Sequence, residues 1–483
     1  DVEGVPVSIA EANAYYAALK AKSDGEGDEP GSKKQAQIEK SDSNEEAFSD
    51  PAVTYPPEIV NLARGLENDP LAIFNYVRNH IDYVPYWGLR KGALGCLLDG
   101  NGNDFDQAAL LVALLRSGGH DAEFVSGEML MPVRDLGNWF GIEPGDGEET
   151  ETGLVGAVLH NNGIPYTSRS EPAWDVARVW VKTTVDGGER HLDVAFKRYK
   201  RHAALEFGEM MGYDRDVFLA ALTEGATVTK DFVQNLNDAK MREKLVEYSA
   251  NLAAALRERY PNSEPSQILG GLEIIPERNS QLEGLVRFPS TVHELWEEVP
   301  EAYFDKFRVV VHGIDETFFV HELGNERLTL TFQASSNRPQ LRLGGDLIAE
   351  GSAAETGQSL PLTLSIDHPL PADQGTYTDQ EAAGKAVAGH GRTVAIVVSN
   401  VTGASHERIG AVHARIREAV DAGAAEESEG VLGEQLNLIG INWLQQTSQS
   451  RRLQQQLSGV RTFYHHAFGT VRGGGGDGVV VNW

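Results

Sequence analysis

Between Gly102 and Gly119 the chain reads GNDFDQAALLVALLRSGG: a polar start, an apolar helical run and a glycine stop. The first turn of such a helix suits a reactive anion, because free backbone N–H groups and the helix dipole stabilise negative charge there. The residue at that position is Asp104. Its carboxylate is a poor nucleophile for acyl transfer, since the product would be a labile anhydride. With Gln107 three positions on, Asp104 also fits a capping box, worth about 1 kcal/mol to a helix, and it is expected to cap this one.

The single cysteine, Cys96 in GALGCLLDG, is the rival nucleophile. Its apolar neighbours and its place away from a helix start predict a small packed residue instead. Asp99, Asn101, Asn103 and Asp104 have the spacing of an opening calcium loop. Asp104 and Leu110 then stand where an EF-hand needs glycine and glutamate, so a polar turn is expected. His465 and His466 are adjacent in an extended run and would face opposite ways. The glycines from Gly473 to Gly476 lack the Lys-Ser/Thr of a phosphate loop. No metal and no cofactor are predicted.

The elements that would position these residues follow from periodicity. PPEIVNLARGLENDPLAIFNYVRNHI holds two helical patterns split at Asn68-Asp69-Pro70, with Ile73, Phe74, Tyr76, Val77 and Ile81 on one apolar face. DYVPYWGLRKGALGCLLDGNG reads as a loop. The site helix follows, with Ala108, Leu111, Val112 and Leu115 at helical spacing and Gly118-Gly119 as its stop. A strand is expected over His120–Met131 and an exposed loop over Glu143–Gly153. ARVWVKTTVDGGERHLDVAF predicts a hairpin turning at Asp186-Gly187-Gly188. Beyond it, residues 201–264 read as a helical insert, 265–402 as the short alternating strands of a β-sandwich, and 403–483 as helices ending in a strand. Residues 1–54 combine a short helix with a polar linker. Residues 55–200 would form one domain holding the site helix and the hairpin.

At 483 residues the chain exceeds one ordinary core. Its formal charge of −29, from 71 acidic against 42 basic residues, argues against nucleic acid, whose phosphates reward basic surfaces. The run Leu110–Leu115 is far shorter than the roughly 20 residues of a membrane span. One thiol excludes an intrachain disulfide framework and a multi-cysteine zinc site. A start at Asp1 without methionine, and an end in VRGGGGDGVVVNW, predict a piece of a longer product.

A helix followed by a hairpin is the order in which papain-like acyl-transfer sites arrange a cysteine, a histidine and an acid. In this order the chain resembles the transglutaminase-like family. Active members read Gly-x-Cys-x-x-x-Ala, an apolar helix ending LLRxxG, a strand His-x-Trp-Val-Glu and a strand carrying Asp, often as Leu-Asp-Pro. Here stand Gly102-Asn103-Asp104 through Ala108, Leu114-Leu115-Arg116-Ser117-Gly118-Gly119, Arg178-Val179-Trp180-Val181-Lys182 and Leu192-Asp193-Val194.

The resemblance places Asp104 at the cysteine position, Arg178 at the histidine position and Asp193 at the acid position. Arginine cannot act as a base near neutral pH. Two of three roles are lost, and the resemblance implies a degenerate triad in a pseudoenzyme. A thiolate–imidazolium pair becomes a permanent carboxylate–guanidinium pair, able to form bidentately with Asp193 as second acceptor. The three residues are expected to form a structural ion cluster between helix and sheet, with Tyr86, Trp87 and Trp180 lining the former cleft. ILGGLEIIP and LNLIGINWLQQTS resemble regions that follow such domains in large bacterial exported proteins, some with RHS or YD repeats.

The expected architecture is a multi-domain α+β protein: a papain/transglutaminase-like core, helical insert, β-sandwich and C-terminal helices. The expected role is a non-enzymatic structural or protein-binding module of a larger secreted or cell-surface bacterial protein. Its partner would be a protein or an adjoining domain, with no nucleic acid and no membrane span. Two alternatives stand beside it: an active thiol transglutaminase or cysteine peptidase using Cys96, and a calcium-stabilised extracellular adhesion module.

Overall fold

The site helix runs from Asp104 to Ser117 in the computed structural model. Asn103, extended at φ −85°, caps it: its side-chain oxygen accepts from the Asp106 N–H at 3.0 Å. The cap is therefore Asn103 and not Asp104, because the amide one position earlier already takes the free donor. Asp104 becomes the first helical residue, and Gln107 turns elsewhere, donating to the Gly102 and Asp82 carbonyls at 2.7 and 3.1 Å. Every residue from Asp104 to Leu115 is buried. A helix apolar or enclosed all round sits inside a core rather than on its surface.

Helices Pro57–Gly65, Pro70–His80 and Gly92–Asp99 pack around it, sharing one apolar cluster that includes Ile59, Ile73, Val77, Cys96 and Leu111. Asp69 caps the second of these through the Ala72 N–H at 2.8 Å, as Asn-Asp-Pro predicts. The third replaces an expected loop. GALGCLLD is apolar enough to bury one face, and Gly100, left-handed at φ 67°, ends it.

An antiparallel five-stranded sheet lies against this helical layer. Its order is Ser290–Trp296, Ala122–Pro132, Ala173–Val185, Tyr166–Thr167, with Gly188–Leu192 also on Ala173–Val185. The expected hairpin is present, turning through Asp186 and Gly187, both at positive φ. Register sets Arg178 opposite Gly127 and Val181 opposite Leu192, so Asp193 falls just past its strand. Glu148–Asn161 is a helix, so the second part of the loop expected over 143–153 is helical, while 143–147 lie outside the described residues; Val155 and Leu159 anchor the helix in the core beside Trp139.

The structure describes residues 53–142, 148–169, 172–263, 265–323, 326–369, 376–399, 406–458, 467–473 and 476–482. The short helix and linker expected before 53, and the pair His465-His466, lie outside them, as do the two central glycines of the 473–476 run.

Three expectations about the rest of the chain change. Residues 201–264 are not helical throughout: along the chain, helices Phe207–Met211 and Arg215–Thr223 are followed by a short exposed ladder of Thr227–Val228 with Val233–Gln234 and then by helix Asp238–Arg259. The strands from 265 onward first complete the earlier sheets, Gly271–Ile274 pairing with Tyr199–His202 and Ser290–Trp296 with Ala122–Pro132. Pairing between strands far apart in sequence leaves no local signal, which is why periodicity assigns them to the later β region. At the C-terminal side two strands form, not one. Ala467–Gly473 and Gly476–Asn482 extend a six-stranded sheet, the latter parallel to Thr393–Ser399.

That six-stranded sheet and a four-stranded one, ordered Ile314–Phe319, Lys306–Val311, Ser359–Pro369, Thr376–Val387, share a core of Phe307, Leu330, Phe332, Leu362 and Ile396 among others. Alternation of buried and exposed residues along Ser359–Pro369 is the period-two pattern that gives each strand one inner face. Helices His406–Asp421 and Glu429–Ser458 contribute to a further cluster with Ala395, Val397, Val412 and Leu436.

Candidate functional site

The three residues singled out by sequence meet. Arg178 Nε donates to Asp104 Oδ2, and Arg178 Nη2 donates to Asp193 Oδ1 at 2.9 Å. The guanidinium does not fork onto one carboxylate; it spans two, one from the helix start and one from the strand end. Its side chain is 1% exposed, that of Asp104 10% and that of Asp193 2%. The guanidinium also lies 4.5 Å from the centroid of the Trp139 ring, a cation–π contact strengthened by the burial of both side chains. Asp193 Oδ1 further accepts from the Ala195 and Phe196 N–H groups at 3.1 and 3.3 Å.

The charges do not cancel: two carboxylates share one cation. Burial would favour a neutral guanidine, but the charges of Asp104 and Asp193 outweigh it and hold Arg178 protonated more firmly than usual. Asp104 carries the imbalance. Burial lifts its carboxyl to about 6, Arg178 offsets this only in part, and the Asp193 charge adds to it. Protonation of Asp104 therefore removes one negative charge from the cluster as pH falls through about 6.

Asp106 is the residue that sequence reading missed. Fully buried, its Oδ1 accepts from the Arg90, Lys91 and Gly92 N–H groups at 3.2, 2.8 and 2.9 Å, and its Oδ2 from the Tyr86 hydroxyl. One carboxylate thus ties the whole 86–92 turn to the site helix. A second acid in the helix's first turn was its only sequence signal, and helix starts commonly carry one for dipole reasons alone. Lys197, also fully buried, donates to Gln107 Oε1 at 2.7 Å; burial, then the nearby Arg78 charge, pushes it well below an ordinary lysine.

The cleft beside the cluster is lined by Tyr86, Trp87, Asp104, Trp139 and Arg178 among others, and its free volume is about 10 Å³, room for about one water. Tyr86 and Trp87 line it. Trp180 does not: it is 1% exposed in the core on the sheet's face and donates to His191 Nδ1 at 3.0 Å. Its indole needs a partner when buried, and the neighbouring strand supplies one. Cys96 is fully buried within Gly92–Asp99 and is absent from the cleft lining. Burial, then the Asp106 charge, raises its thiol well above the usual value, the reverse of an activated nucleophile.

The polar loop before the helix is spent on structure. Asn101 Oδ1 accepts from Lys91 Nζ at 2.5 Å, Asp99 pairs with the same ammonium at 3.0 Å, and the Asn103 amide donates to the Tyr86 and Gly88 carbonyls. Among the described residues no group of three or more His, Cys, Asp or Glu side chains could hold a metal ion. Gly102 fits this packing tightly: a Cβ there would stand 2.8 Å from Asp106 Cβ and 2.9 Å from Cys96 Sγ. Gly102→Ala is expected to cost about 1–3 kcal/mol by overpacking, seen as a lower urea midpoint with an unchanged slope.

Comparison with known proteins fits this geometry. No curated protein and no solved structure matches the chain. Residues 55–147 match the family model described as the transglutaminase-like superfamily. The matched stretch contains the helical layer, the site helix with Asp104 and the Ala122–Pro132 strand, and it ends before the strand that carries Arg178. At residues 55–147 the chain carries a domain of the transglutaminase-like superfamily.

Proposed function

We propose that this domain is a catalytically inactive transglutaminase-like module with a structural or protein-binding role in a larger secreted or cell-surface bacterial protein. The observation that carries the reading is Arg178, fixed between Asp104 and Asp193 where the resemblance would place a base between a nucleophile and its orienting acid. Acyl transfer needs a deprotonated thiol or hydroxyl and a group that exchanges protons near neutral pH. The Asp104 carboxylate, though it titrates near 6, is neither a thiol nor a hydroxyl, and the Arg178 guanidinium stays protonated and cannot take a proton from one. The narrow cleft supports the same reading, since a side chain cannot enter a free volume of about 10 Å³.

In this reading the scaffold is retained for packing. The cluster joins helix to sheet, and the later sheets and helices continue as a β-sandwich-like unit and a C-terminal helical unit. Two assays test it together. Amine incorporation into a glutamine donor and cleavage of a peptide substrate should both be blank for the native chain, and Cys96→Ser should be indistinguishable from it. Turnover by the native chain that disappears in Cys96→Ser would overturn the reading in favour of a thiol enzyme.

A further inference from the structure

A second cavity, of about 220 Å³, touches Asp193 but neither Asp104 nor Arg178, which line the narrow cleft instead. Its polar wall is made by Arg78 from the Pro70–His80 helix and by Glu277, Asn279 and Arg287 from the segment entering the Ser290–Trp296 strand. That segment is held in place. Asn75 and Asn79 donate to the Asn279 and Glu277 carbonyls at 3.1 and 2.9 Å, and Leu285 bridges Leu192 at the end of the strand before Asp193. The cavity is therefore preformed, and far larger than the roughly 10–15 Å³ that one water requires.

Arg78 and Asp193 are the wall groups with unfilled hydrogen-bonding capacity: among the described residues neither Arg78 Nη nor Asp193 Oδ2 has a hydrogen-bond partner. The Arg78 side chain is 3% exposed, and its nearest ionic contact is Glu277 Oε1 at 3.1 Å. The same Glu277 oxygen is already taken by Arg287 Nη2 at 2.6 Å. Burial lowers the affinity of Arg78 for its proton, with Glu277 and Asp193 opposing and Arg287 adding to the effect. A guanidinium desolvated with one shared ionic contact and no hydrogen bond from either Nη is costly, and an acceptor placed in the cavity would relieve it.

We propose that this cavity binds a small carboxylate, whose oxygens accept the unused Nη protons of Arg78 and meet Arg287 at the more open side. The planar fork of arginine matches a carboxylate bidentately. The acids Glu277 and Asp193 in the wall favour a monoanion over a dianion, which selects carboxylate over phosphate. The site is distinct from the cleft, and the proposal does not depend on whether the domain turns over a substrate.

Thermal melting of the full chain tests it, with sodium acetate, sodium phosphate and sodium chloride compared at matched ionic strength. A ligand that binds only the folded state raises Tm in a saturable way. Acetate should do so beyond chloride in the native chain, and Arg78→Met should abolish the saturable part. Arg287→Gln, at a side chain 36% exposed, keeps the test available if the first variant does not fold. It should weaken acetate about tenfold by calorimetry, the order expected for one charge-assisted hydrogen bond. No acetate effect beyond chloride, an equal effect in the native chain and Arg78→Met, or unchanged affinity in Arg287→Gln would each overturn the proposal. A saturable phosphate response without an acetate response would overturn the carboxylate assignment.

Discussion

Replacing Arg178 with methionine is expected to destabilise the protein by about 3–5 kcal/mol at pH 7, the cost of breaking a buried ion pair by removing one partner. Methionine keeps much of the volume and suits the neighbourhood of Met129 and Met131, whose sulfurs lie 3.8 and 3.5 Å from Arg178 Nη1. What it removes is charge. Asp104 and Asp193 would remain buried close together, Asp193 with only the Ala195 and Phe196 N–H groups and one oxygen already without a hydrogen bond. The contact with the Trp139 face would go too. Urea unfolding of both proteins checks this, and the gap should shrink toward about pH 4, where protonation relieves the stranded Asp104 carboxylate. Arg178→Lys should recover only part of the loss, because an ammonium is one point and cannot span two acceptors as the guanidinium does.

The second large effect concerns Asp104 and has the opposite sign from most salt-bridged acids. Its carboxyl stands at about 6 in the folded chain against an ordinary 3.8. The folded state therefore binds a proton that the unfolded state has released, and stability from this group is full below about pH 4. It is lost as pH rises through about 6. A difference of about two pH units corresponds to about 3 kcal/mol at most. Asp104→Asn removes the titration while its amide oxygen can still accept from Arg178. The many other acids make the absolute profile complex, so the comparison is between the two proteins. The Asp104→Asn variant should gain up to about 3 kcal/mol relative to the native chain between about pH 4 and pH 7. Parallel profiles would contradict the assignment.

How much of this is legible in the sequence differs by length scale. The site helix, the hairpin and the Asp69 cap follow from local patterns, and the structure contains all three. Asp104, Arg178 and Asp193 are identified through the order of motifs, and their side chains meet. What local reading does not supply is direction. Asn103 and Asp104 are both capping types at adjacent positions, and only the backbone decides which side chain reaches the Asp106 N–H. Trp180 shares a strand face with Arg178, two residues on, and the sequence does not say how far along that face the cleft extends. Asp106 looks like a first-turn acid until the 86–92 turn is seen folded onto it. The edge strand Ser290–Trp296 joins a sheet whose other strands lie far earlier in the chain; no periodicity encodes that.

The central claim is that Asp104 and Arg178 act as a fixed pair in place of a reactive one. A double-mutant cycle at pH 7 measures this directly, from the stabilities of the native chain, Asp104→Asn, Arg178→Met and the combined variant. Contacting groups in one network couple by about 0.5–3 kcal/mol. Here a coupling of at least about 1.5 kcal/mol is predicted, because removing the Asp104 charge first leaves fewer stranded carboxylates when Arg178 goes. Effects that simply add, to within about 0.5 kcal/mol, would contradict it.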